Sequence, residues 1–190
     1  MSGIIRAVAA AVVVQMLAAT AAVAGPRVEL TFEEFPHADD LQGSYQVLSV
    51  ASGYQFLYAP APGEPYPVGL QIVGPTYLYN KNGSAAVNPD TCAASVTLNR
   101  PDGLPFALKR ISLSSLNGDL PVSVTFTGTT TGNEQVVHTV KIRHGDQWER
   151  FHFPDTFAHL SQVVWYQGDC VVNRPHMFDD VVLVREKAAR

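Results

Sequence analysis

From Asp102 to Arg185 the chain alternates apolar and polar residues almost without a break. A period of two is the signature of half-buried strands, so this stretch constrains the fold more than any other. Val122, Val124 and Phe126 fall on one side of a strand, Ser123 and Thr125 on the other. The polar run from Thr127-Gly128 to Gly132-Asn133 then predicts a hairpin into a strand over 135–142. Phe151 and Phe153 share a face, with His152 between them. After residue 24 no window holds the i, i+3, i+4, i+7 spacing of an amphipathic helix.

Further short β-rich runs are expected at 28–32, 54–58, 68–72, 77–79, 95–99, 106–114, 147–153, 162–166 and 178–185. Gly, Pro, Asn and Asp separate them. Many short strands at this spacing predict an antiparallel sandwich or barrel. The Pro- and Gly-rich segments 59–67 and 80–89 read as long loops over a sheet edge.

The first residues belong to a leader. Arg6 supplies a positive start, Ala7 to Ala19 is apolar apart from Gln15, and Ala22-Val23-Ala24 is a small-x-small cleavage signal. The apolar run is shorter than the ~20 residues a membrane span needs. The sequence therefore predicts a signal peptide over 1–24 and a single exported domain over 25–190, secreted or periplasmic. Thirteen Lys and Arg face seventeen Asp and Glu. Losing Arg6 with the leader leaves a net charge of about −5, which argues against a nucleic-acid partner. In an oxidising compartment the two cysteines, Cys92 and Cys170, are expected to form a disulfide.

Several motifs occur in an order that resembles known proteins. Gly103-Leu-Pro-Phe106 introduces a strand, and Val122-Ser-Val-Thr-Phe-Thr-Gly128 follows. Trp148-Glu-Arg-Phe151-His-Phe153 then precedes Leu160-Ser-Gln-Val163-Val-Trp165, and the chain closes on Phe178-Asp-Asp180-Val-Val-Leu183. This order is similar to secreted bacterial jelly-roll domains. They include the ectodomains of PEP-CTERM-type exported proteins and the galactose-binding-like fold of many carbohydrate-binding modules. No Pro-Glu-Pro sorting signal stands near Lys187-Ala-Ala-Arg190. The resemblance implies an all-β antiparallel jelly-roll β-sandwich whose first and last strands lie side by side. It also implies a structural calcium between a first-strand Glu and a last-strand Asp.

Glu33 and Asp180 are the candidate calcium ligands. An acidic pair opening a hydrophobic last strand needs a partner, because an unpaired buried charge is costly. The alternative is that these acids are solvated and guard a sheet edge. Strand alternation places Asp180 on the face of Phe178 and Val182, and Glu34 on that of Phe32.

For ligand binding the aromatics matter most, since sugar rings stack on exposed aromatic faces. Trp148, at the edge of a Gly-Asp turn, is the expected exposed platform, with Tyr166 and Arg150 as further candidates. Trp165 and Tyr166 are strand neighbours, so one faces the core. His138 lies on the face of Val136, Val140 and Ile142, which suits a partly buried histidine.

No catalytic motif stands out: there is no HExxH and no GxSxG. Three function classes stay open. One is a non-catalytic module binding a polysaccharide or cell-surface glycan. Another is a structural or interaction protein of the envelope or extracellular matrix. The third is a small polysaccharide lyase or glycosidase, drawing on His138, His152, Arg143, Arg150 and Tyr166. The sequence sets no oligomeric state.

Overall fold

A computed structural model describes residues 25–35, 41–64, 69–77, 80–89, 93–115, 121–145, 147–166 and 176–187. The leader, Cys92 and Cys170 lie outside the described residues. Among the described residues the regular structure is all strand. The strands are β1 (Arg27–Leu30), β2 (Leu41–Tyr45), β3 (Val47–Ser49), β4 (Gln55–Ala59), β5 (Leu70–Val73), β6 (Ala86–Pro89) and β7 (Ser95–Asn99). They continue as β8 (Phe106–Ser115), β9 (Val122–Thr130), β10 (Gln135–Ile142), β11 (Glu149–His152), β12 (Leu160–Tyr166) and β13 (His176–Arg185). No helix among the described residues is long and apolar enough to cross a membrane.

The strands pair antiparallel in two layers. The first runs β2-β5-β6-β13-β8, with β1 along the second half of β13 and β11 along β8. The second runs β3-β4-β7-β12-β9-β10. A single pairing, Leu160 with Phe106, joins the layers at one corner. The chain passes repeatedly from one layer to the other, as in a jelly-roll sandwich. β1 lies against β13, with Arg27 opposite Val184 and Leu30 opposite Val181, so the two ends of the domain are side by side.

The core fills the space between the layers. Phe178 of the first layer stands 5.2 Å from both Phe56 and Trp165 of the second. Phe32 closes that cluster at 5.4 Å from Phe56. Each such ring contributes about 1.5–3 kcal/mol through burial. The predicted β9–β10 hairpin forms, with Val122, Val124 and Phe126 inward. Its turn needs a left-handed residue, supplied by Asn133 at φ 62°. Gly128 belongs to β9 and not to the turn: a Cβ there would sit 2.7 Å from Leu160 Cδ2 and 2.9 Å from Val136 Cγ2.

Four expectations are corrected. The segment 80–89 is not all loop, because Ala86–Pro89 forms β6 between β5 and β13. Its Ala85-Ala86-Val87 run is fully buried. Tyr77 lies in a turn, its N–H bonded to the Gly74 carbonyl at 3.2 Å, and residues 78 and 79 are outside the described residues.

The third correction concerns β13. Asp180 is left-handed, at φ 49°, and the register slips between Asp179↔Ser112 and Val182↔Arg110. This bulge reverses the alternation. Phe178, Val181 and Leu183 face the core, so Asp180 stays on the outer side with Val182 but does not share a face with Phe178. Similarly, β1 stops at Leu30 because Phe32 is left-handed at φ 57°, which puts Glu34 in a turn.

Candidate functional site

The outer face of the second layer is built by register. Inward residues of its six strands enter the core, so their neighbours in sequence must point out. Cross-strand pairing sets Ser49, Gln55, Asn99, Gln162, Thr129 and Gln135 in one row. At a strand spacing of ~4.8 Å that row is about 24 Å long. Two residues along, Val47, Leu57, Thr97, Val164, Thr127 and Val137 form a second row. Beyond it Ala59, Ser95 and Tyr166 line up on β4, β7 and β12. Thr125 and Thr139 meet across β9 and β10 with their hydroxyls 2.9 Å apart.

None of these residues carries a formal charge. Val137 is 61% exposed and Tyr166 48%. The amide oxygen of Asn99 is itself buried and has no hydrogen-bond partner. The surface therefore offers amides and hydroxyls in one strip, with methyl groups and a phenol beside it.

The first layer's outer face is different, and described turn residues cover part of it. Residues 80–85 lie over Asp179, and Tyr77 packs against Val73 and Met177. Asp179 is fully buried. Its Oδ2 accepts bonds from Ser84 Oγ and Asn82 Nδ2, each at 2.6 Å, while Oδ1 has no partner. Burial pushes this carboxyl up to about 7, and the negative charge of Asp180 adds to the rise. The Ser84 hydroxyl, the Asp180 N–H and the Asn82 amide oppose it. Glu33 holds the same segment, its carboxylate accepting the Ala85 N–H at 2.5 Å. Asp180 points elsewhere: Ser112 Oγ donates to it at 3.0 Å, and the Arg150 guanidinium lies 3.8 Å away.

The predicted ligand residues do not form one cluster. Trp148 and Arg150 belong to the first layer's outer face, Tyr166 to the second's. Trp148 is not an open platform, because it is half-buried against Val73 and Met177. Of the strand pair, Trp165 is the core residue and Tyr166 the exposed one. His138 is half-buried, 5.3 Å from the Phe153 ring. His138, His152, Arg143, Arg150 and Tyr166 are spread over the interior and both outer faces and do not converge. Among the described residues no three His, Cys, Asp or Glu side chains are grouped to hold a metal.

Sequence reasoning missed the polar row. Its members come from six separate strands and are ordinary surface residues until the register aligns them. It also favoured Asp180 over Asp179, because the bulge that exchanges their environments leaves no mark in the sequence.

No family model matches the chain, and no curated protein matches it in sequence. Among solved structures, it is similar to a point variant of a family 29 carbohydrate binding module. That match has 12% identity and a TM-score of 0.47, and covers 84% of this chain and 85% of the other. Another variant of that module, complexed with cellulohexaose, has 14% identity and a TM-score of 0.47, covering 85% and 92%. A third structure of a family 29 module has 13% identity and a TM-score of 0.44, covering 76% and 88%. Likeness this distant leaves the function to the residues themselves.

Proposed function

We propose that this chain is a secreted, non-catalytic module that binds a neutral polysaccharide or cell-surface glycan across the outer face of its second layer. The observation that carries the reading is the uncharged row Ser49–Gln55–Asn99–Gln162–Thr129–Gln135 beside the methyl row and Tyr166. A pyranose presents hydroxyls at its edge and C–H groups on its faces. Amides donate and accept, which suits hydroxyls, while Val137, Val164 and Tyr166 suit the C–H faces. A charged face would hold its water more tightly and reward a different ligand.

Binding to an array of neutral β-linked hexasaccharides tests this. The folded domain is expected to bind a subset of them. Tyr166→Ala and Gln162→Ala are each expected to weaken binding about tenfold, the scale of losing one contact at the centre of an interface. Both are surface changes and should leave stability within about 0.5 kcal/mol. Silence on every neutral glycan from a folded sample ends the reading.

Calcium at the joined ends of the domain is part of the same proposal, as a structural ion. Such an ion takes six to eight oxygens, carbonyls included. Glu33, Asn82 and Ser84 are oxygen donors on or against one short segment, and the unused Oδ1 of Asp179 fits a cation. Asp180, the sequence candidate, has an arginine beside it, so Glu33 and Asp179 are the better pair. Calcium there would tie β1, β13 and the covering segment together. The melting temperature is expected to be higher in excess calcium than in chelator, and equal values would remove the ion from the proposal.

A further inference from the structure

Beyond the turn residues over Asp179, the first layer's outer face holds a groove of about 310 Å³, lined among the described residues by Arg27, Lys109, Arg110, His152, Val182 and Val184. That volume is at the lower end of the ~300–1,000 Å³ of small-molecule sites. Its composition is unexpected in a chain of net charge −4. Three cations and a histidine line it.

The register explains how they meet. Val182 lies opposite Arg110 on β8, and Arg110 opposite His152 on β11. Val184 lies opposite Arg27 on β1. The β8 pairing slips between Arg110 and Leu108, opposite Val182 and Leu183. This bulge turns the successive side chains of Lys109 and Arg110 into the same groove. Two of these cations are already paired: Glu29, opposite Val182 in the same row, is ion-paired with Arg110, and Asp155 with Lys109 at 3.2 Å. Arg27 has no ion-pair partner among the described residues and is exposed. The floor is aliphatic.

We infer that this groove binds an acidic sugar, a pyranose ring carrying a carboxylate or sulfate, as a second site on the layer opposite the neutral face. Arginine presents a planar fork that matches a carboxylate or sulfate, and such charge-assisted bonds are among the stronger ones. Val182 and Val184 accept the C–H face of the ring, and His152 stands at the edge to meet a hydroxyl. The groove has no Phe, Tyr or Trp in its lining, and His152 is the one ring on which a nucleic-acid base could stack. Its aliphatic floor has no use for a bare inorganic anion.

The test is calorimetric titration of the folded domain with trigalacturonate, its neutral analogue galactotriose, a sulfated trisaccharide and inorganic sulfate. Trigalacturonate or the sulfated trisaccharide is expected to bind at least tenfold more tightly than galactotriose or free sulfate. Whichever of the two binds better identifies the acid group. Arg27→Gln and Lys109→Gln are each expected to weaken that binding about tenfold, the cost of one charge-assisted contact. Tyr166→Ala should leave it unchanged, which separates this site from the neutral face. Three results would overturn the inference: equal affinity for free sulfate, equal affinity for galactotriose, or binding unmoved by both substitutions. Failure on neutral glycans alone would strike the neutral-face reading and not this one.

Discussion

Reducing the bridge proposed between Cys92 and Cys170 is expected to lower the melting temperature by roughly 10–15 °C. Ser95 of β7 and Tyr166 of β12 are register partners on neighbouring antiparallel strands. Cys92 lies three residues before the first and Cys170 four residues after the second. Each cysteine is thus within four residues, in sequence, of one pair of register partners. A bridge between them would close a loop of roughly 78 residues, which loop-closure entropy values at about 4.5 kcal/mol. For a domain of this size about 1 kcal/mol moves the melting temperature by 2–4 °C. Two measurements check it. The intact mass of the exported protein should be two hydrogens lower than that of the reduced form. Cys92→Ser should lose the same stability as reductant and gain nothing from it. Two free thiols in the untreated protein would sink the bridge.

The proposed bridge rests on cysteine count and leader. Most of the second layer was legible from residue spacing. The inward set Val122, Val124 and Phe126 follows from it, and so does the place of His138 among Val136, Val140 and Ile142. These strands have one wet face and one dry face, so pattern and position coincide. The first layer was harder. Its outer face is partly covered, so β13 reads His-Met-Phe-Asp-Asp-Val-Val-Leu with hardly any alternation, and its first four residues are all buried. β2 carries Leu-Gln-Gly-Ser-Tyr, with a left-handed Gly43 and a register slip between Gln42 and Tyr45. Such a strand has no period to detect. β6 was hidden for the opposite reason, since four consecutive residues are buried. Both candidate surfaces depend on which residues of distant strands stand opposite one another. A slip of one residue would exchange each row for its inward neighbours.

The largest electrostatic effect is expected at Asp179, measured without metal. Its carboxyl has an ordinary value near 3.8 and is pushed up to about 7 in the fold, chiefly by burial. The folded state therefore keeps a proton that the unfolded chain has already released. Stability depends on pH through this difference in bound protons. Below about pH 4 both states are protonated and the group costs nothing. As pH rises from about 4 to 7, the unfolded state ionises freely while the folded one does not, so stability falls. Above about 7 both are ionised and the loss levels off. Each tenfold difference in proton affinity between the two states is worth about 1.4 kcal/mol, so the fall amounts to several kcal/mol at most. Asp179→Asn keeps an oxygen for Ser84 and Asn82 but cannot ionise. Urea unfolding in chelator should therefore show wild-type protein less stable at pH 8 than at pH 5. The variant should be nearly flat, and at pH 8 more stable than wild type by about 2–4 kcal/mol. Calcium supplies the comparison. An ion at Oδ1 would favour the carboxylate, so adding it should flatten the wild-type profile and leave the variant unchanged. If wild type and variant keep the same pH slope in chelator, the buried carboxyl is not what the profile reports. If calcium stabilises both equally, Asp179 is not its ligand.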